Sequence, residues 1–199
     1  MKKGRMSRAI SSRESRKLEK RLKKEVLIKA NKAVEKAKAL MLAEFDAHPI
    51  TKEIKGGPRA TNSSGTLGGV GNLFSYIGFN QGQKPTREVR EILESSTKLI
   101  GLKKTGKGEM GFQIMIDLPS KEEIAKASPV PWAAARSWVI GIEQGLSGLG
   151  QYLVKPGAGR SGNAIEVRGT LRAGKFKNTK YISAILNNLQ LNLMSFLKS

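Results

Sequence analysis

Between Ser11 and His48 the chain has neither glycine nor proline, the longest stretch free of both in its 199 residues. Within it, Leu18, Leu22, Val26, Ala30, Val34, Ala37, Met41 and Phe45 recur at steps of three and four, with Ala33 and Leu40 beside them. That period places them on one side of an α-helix. Ser11 and Glu14 have the spacing of a capping box, and His48-Pro49 supplies a stop, because proline forces the residue before it out of the helical region. A helix of some thirty residues is about 45 Å long, more than the width of a small domain. Its first half is therefore expected to project beyond whatever core the second half joins.

That first half is also where the charge lies. The chain carries 36 Lys and Arg against 16 Asp and Glu, a net +20. Residues 1–38 hold 15 of the cations and four Glu, and residues 154–180 hold seven cations and one Glu, whereas residues 39–153 are nearly balanced at 13 against 11. Segregated positive charge suits an anionic partner, most commonly nucleic acid. Residues 1–13 are expected to be a basic arm, and 14–199 a single domain. A hydrophobic fraction of 39% argues against wholesale disorder. The absence of cysteine excludes disulfides, thiolate zinc sites and thiol nucleophiles. No signal-peptide core and no run of about 20 apolar residues is found, so a soluble chain without membrane partners is expected.

Past the long helix, residues 55–72 form a glycine-rich loop, and eight of the 22 glycines fall between positions 56 and 82. Leu73-Phe-Ser-Tyr-Ile-Gly-Phe79 reads as a strand rich in β-formers. Pro85 opens a short helix with Val89, Ile92, Leu93 and Leu99 on one side. Residues 111–118 alternate as a strand, Ser120 with Glu123 starts a helical turn, and Trp138, Ile140 and Ile142 suggest another strand. Ile165, Val167 and Leu171 suggest a fourth. A C-terminal helix, capped by Asn178 or Thr179, presents Ile182, Ile185, Leu186, Leu189, Leu193 and Leu197. The expected fold is α+β: an antiparallel sheet of about four strands packed by a long N-terminal and a C-terminal helix.

Chemistry-bearing patterns are sparse. Gly101-Leu-Lys-Lys-Thr-Gly106-Lys107-Gly108 nearly spells a phosphate loop, but Gly108 replaces the magnesium-binding hydroxyl and a strand follows where a helix should begin. A hydrolase using Lys107 is set aside in favour of a basic hairpin turn. His48 is the only histidine and sits at a helix end. Asp46, Glu53, Glu122 and Glu123 lie at helix termini, and Ser63 and Ser64 have no evident base. Trp132, Trp138, Tyr76, Tyr152 and Tyr181 fall mostly within apolar alternation, which favours core or subunit interface over base stacking. No catalytic residue, cofactor or metal site is expected.

Three strings resemble the neck and tail-completion family of tailed bacteriophages: His48-Pro-Ile-Thr-Lys-Glu-Ile, the Ser64-Gly-Thr-Leu loop leading into Asn72-Leu-Phe-Ser-Tyr-Ile-Gly-Phe79, and Ser137-Trp-Val-Ile-Gly-Ile-Glu-Gln-Gly145. Ser64, Gly65 and Leu67 correspond to the family's "Ser-Gly-x-Leu" loop, and Glu143 and Gly145 to its Glu-x-Gly strand end. The segment Ala173-Gly-Lys-Phe-Lys-Asn178 departs from the family in lacking a proline before the last helix. The resemblance implies a virion structural protein, not an enzyme, that is assembled in the host cytoplasm as a homo-oligomeric ring at the head-tail junction. Its partners would be copies of itself, portal-side connector and tail-tube proteins. Ser64, Gly65, Leu67, Glu143 and Gly145 would then lie at subunit contacts. Arg5, Arg8, Arg13, Arg16, Lys17, Lys20 and Arg21 are the expected contacts to DNA or an acidic partner surface. The alternative is a non-specific nucleic-acid-binding protein that uses its basic N-terminal helix.

Overall fold

The structure, a computed structural model, describes residues 12–67, 71–106, 111–145 and 179–198. The long helix is present as α1 (Ser12–Ala47), 36 residues and about 54 Å. It ends where the sequence places the stop: His48 takes an extended conformation, and its Nδ1 accepts the Ile50 N–H as the cap of α2 (Pro49–Lys55). A 3₁₀ turn, Gly57–Arg59, leads into the glycine-rich loop.

Next comes α3 (Leu73–Ile77), then α4 (Pro85–Ser96), then a hairpin of β1 (Lys98–Thr105) and β2 (Gly111–Asp117). Helix α5 (Lys121–Lys126) carries the expected capping box, with the Ser120 and Glu123 side chains each accepting the other's backbone N–H. Two short strands, β3 (Pro129–Val130) and β4 (Ala133–Ser137), precede α6 (Trp138–Glu143), and α7 (Ile182–Lys198) completes the described chain.

The mixed helix and strand content and the two flanking helices agree with expectation, but among the described residues no sheet of about four strands forms. Two separate two-stranded antiparallel sheets, β1–β2 and β3–β4, stand in its place. The reason is local. Two segments expected as strands are helices because a side chain caps each N-terminus. Asn72 Oδ1 accepts the Ser75 N–H ahead of α3, and Ser137 Oγ accepts the Ile140 N–H ahead of α6. Gly78, at φ +87°, then closes α3 in the left-handed conformation that a side chain would strain. Burial follows the helical rule: Leu73, Phe74 and Ile77 are inside, as are Trp138, Val139 and Ile142. Leu99 likewise leaves the α4 stripe for β1, since α4 stops at Ser96. The strand expected around Ile165, Val167 and Leu171, and the cap expected at Asn178, lie outside the described residues.

The core is one cluster. From Ala30 onward α1 buries Ala33, Val34, Ala37, Met41 and Phe45, and antiparallel to it α7 buries Ile182, Ile185, Leu189 and Leu193. Their relative direction follows from two bridges, Asn188 Nδ2 to Glu44 at 2.7 Å and the Lys36 ammonium 4.2 Å from the centre of the Phe196 ring. Trp138 and Tyr181 are fully buried, with ring centres 6.3 Å apart, and Phe45 lies 6.0 Å from Tyr181. These two aromatics belong to the core and not to an exposed stacking surface.

Candidate functional site

Two features outside the core organise everything sequence reasoning assigned to function: a projecting basic arm and a pair of carboxylates that tie loops to the body. The arm is α1 before Ala30. No residue from 13 to 29 is buried, and this part holds eight Lys and Arg against three Glu across residues 12–29. The β1–β2 hairpin runs beside it, fastened by Lys104 Nζ to Glu19 at 2.9 Å. Exposed ion pairs of this kind contribute about 0–1 kcal/mol, so they orient the hairpin more than they hold it. The arm leaves apolar side chains in water: Leu18 is 46% exposed, Ile28 58%, and Ile100 on the hairpin 62%.

Of the residues expected to meet DNA or an acidic partner, Arg13, Arg16, Lys17, Lys20 and Arg21 are brought together on this arm, all exposed and without ion pairs among the described residues. Arg5 and Arg8 lie outside the described residues. Lys23 and Lys24 share the arm and were not singled out by sequence; the fact that would have marked them is that burial begins only at Ala30.

The proposed contact residues of the loops lie on the body instead. Ser64 donates its backbone N–H to Glu53 Oε2 at 2.9 Å, while the Leu73 N–H reaches Glu53 Oε1 at 2.7 Å. Glu53 itself is buried. One carboxylate on α2 therefore ties the middle of the glycine-rich loop, at Ser64, to its exit into α3 at Leu73. Gly65 turns at φ +65° with open space where a side chain would stand, and Leu67 is buried. Asn72 adds two bonds from its amide, to the Pro58 and Ala60 carbonyls at 2.9 and 3.2 Å.

Glu143 makes the second tie. Its Oε1 accepts the N–H groups of Tyr181 and Ser183 at 3.2 and 2.7 Å, so a side chain from α6 caps the N-terminus of α7. A negative charge is favourable there, since the free N–H groups of a helix start carry partial positive charge. Gly145 follows at φ +91°, where α6 ends. Between the two ties, Thr51 Oγ1 and the Tyr181 hydroxyl share a buried hydrogen bond of 2.6 Å. Burial holds the Tyr181 phenol well above its ordinary range, so it stays neutral. Burial also lowers the pKa of His48, more than the nearby Glu44 raises it, and the neutral ring can accept the Ile50 N–H.

Sequence reading placed Glu53 only at a helix boundary. A sharper signal was present, because it sits three residues after Ile50 and next to Ile54, on the side of α2 that is buried. Among the described residues no group of three or more His, Asp and Glu could hold a metal ion. No helix among them is long and apolar enough to cross a membrane. Lys107 and Gly108 of the phosphate-loop lookalike lie outside the described residues, and Gly101 to Thr105 of that string are in β1. No family model, curated protein or solved structure matches the chain.

Proposed function

We propose that this chain is a structural protein of a tailed-phage virion that forms a homo-oligomeric ring at the head-tail junction, around the path of the DNA, and acts by assembly and not by catalysis. The observation that carries the reading is the arm. Along residues 13–29 no side chain is buried, and the apolar Leu18, Leu27, Ile28 and, on the hairpin beside them, Ile100 are left uncovered in a single chain. A neighbouring copy that covers them gains roughly 25 cal/mol for each Å² of apolar surface removed from water.

Other features support the same reading. Rings are built from heterologous contacts, in which one patch meets a different patch on the next copy, and an arm that leaves the body at one end is suited to that geometry. Each two-stranded sheet has outer edges on which a strand from a neighbour could pair. The Ser64–Leu67 turn and the Glu143–Gly145 corner, which carry the resemblance to neck and tail-completion proteins, are held in fixed conformations by Glu53 and at the start of α7. Connector proteins on the portal side and the tail tube would meet the two faces of such a ring.

The alternative, a free nucleic-acid-binding protein whose arm is the whole function, predicts a monomer and gives the exposed apolar residues no role. Native mass measurement with negative-stain imaging of the full chain separates the two. Closed rings of one discrete mass are expected; a monomer at every concentration, alone and with portal-side or tail-tube proteins, overturns the junction reading.

A further inference from the structure

The buried stripe of α1 does not end where the core ends; it continues along the arm and changes chemistry. Alternate steps of three and four residues connect Met41, Ala37, Val34, Ala30, Leu27, Lys23, Lys20 and Arg16. At 100° per residue these lie on one side of the helix. The first four are buried, Leu27 is 42% exposed, and Lys23, Lys20 and Arg16 are exposed. Arg13, Lys17 and Lys24 flank the same side. The cations are thus aligned with the core face and run up to the edge of the body; Glu19 lies among them, three residues after Arg16 and four before Lys23, and its carboxylate is taken by Lys104 of the hairpin.

A surface of this kind requires an anionic occupant, and a second copy of the chain has little to offer. Of the carboxylates in the described residues, only Glu25, Glu88 and Glu122 have neither an ion pair nor a hydrogen bond, and they are dispersed over α1, α4 and α5. Others are tied within the fold, Glu53 and Glu143 to backbone N–H groups and Asp46 to Arg90 at 3.0 Å. The described surface therefore offers no unpaired cluster of carboxylates to match the stripe: Glu88, Glu91 and Glu94 of α4 are exposed, but Arg87 and Arg90 of the same helix pair with the last two. Duplex nucleic acid does match the stripe: the 12 residues from Arg13 to Lys24 extend about 18 Å, a length over which a duplex presents roughly ten phosphate charges. No aromatic residue precedes Phe45, so the arm has nothing on which to stack unpaired bases.

We infer that the Arg16, Lys20 and Lys23 side of the arm is a binding surface for the sugar-phosphate backbone of duplex DNA, read without regard to sequence and bounded by the body at Ala30. The inference deepens the junction reading and rests on it for the source of the DNA, which would be the genome in transit.

The test is fluorescence anisotropy of the full chain with a 30-base-pair duplex of random sequence across a salt series. Neutralising the stripe as Arg16→Gln, Lys20→Gln and Lys23→Gln should weaken binding about tenfold or more at 0.1 M salt and reduce the slope of log affinity against log salt by about 2.7. The body variant Lys84→Gln, Lys121→Gln and Lys126→Gln should bind as the unaltered chain does, and far-ultraviolet circular dichroism should show both variants folded. Equal losses in the two variants, or no binding by the unaltered chain, overturn the inference. Polyglutamate bound as tightly as the duplex would assign the stripe to an acidic protein and overturn it too. Native mass, recorded in parallel, separates the two ideas: rings without DNA binding leave the junction reading standing and remove this one, and DNA binding by a monomer does the reverse.

Discussion

One helix serves two regions that differ in almost every physical respect. From Ala30 to Phe45, α1 is packed by small and apolar side chains against α7 and the Trp138–Tyr181 cluster, where interior packing tolerates little change in volume. From residue 13 to residue 29 the same helix has no buried side chain, and its side facing the core direction turns from Ala and Val to Lys and Arg. Stability is therefore expected to reside in the body, and association in the arm. Helix continuity and core membership are thus separate properties, and the second is decided by what stands opposite.

Substitutions on the two halves of the helix and on the ties of the body should separate in size. The largest effect is expected from Phe45→Ala, which opens a cavity beside Tyr181 and should cost about 3–5 kcal/mol in urea unfolding. Glu53→Gln should follow at about 2 kcal/mol, because it removes the charge that two backbone N–H groups address and turns an amide N–H₂ toward one of them. A midpoint unchanged by this substitution would show that the glycine-rich loop is held by other contacts.

A smaller loss, about 1 kcal/mol, is expected for His48→Ala, which removes the cap of α2. Its sign with pH is fixed by burial, which lowers the folded pKa below the ordinary 6.5. The neutral ring's contribution is fully present above 6.5 and lost as pH falls through the folded value, since the unfolded chain then binds the proton more readily. Thermal melts of the unaltered chain against the Ala variant should converge as pH drops from 7 to 5. The smallest change in stability, within about 0.5 kcal/mol, is expected for Leu18→Ser with Ile28→Ser on the arm, together with loss of the oligomer in native mass measurement. A large drop in melting temperature for this pair would move the arm into the folding core.

The long helix, α4, α5, β2 and α7 were legible in the sequence because period and punctuation agreed: a Gly- and Pro-free stripe, Pro85 at a helix start, the Ser120–Glu123 box and the strict alternation of residues 111–118. The segments at Leu73 and Trp138 read as strands from sequence and are helices, for a physical reason. Over five or six residues an apolar run fits period 2 and period 3.6 about equally well, and the deciding signals were the single residues Asn72, Gly78 and Ser137. Strand β1 was hidden by its lysines and by the irregularity between Leu99 and Gly101, which breaks the alternation. For the candidate site, the projection and charge of the arm followed from length and composition alone. The roles of Glu53 and Glu143 did not, because both reach backbone groups distant in sequence, 20 residues away at Leu73 and 40 at Ser183.

Amide hydrogen exchange along α1, measured residue by residue in dilute solution and again after assembly, addresses the division of this helix most directly. In the lone chain, residues 31–45 should show the protection of global unfolding and residues 13–27 should exchange far faster, with the arm gaining protection only in the oligomer. Uniform protection along the whole helix before assembly, or an arm that exchanges equally fast in the oligomer, would contradict the account.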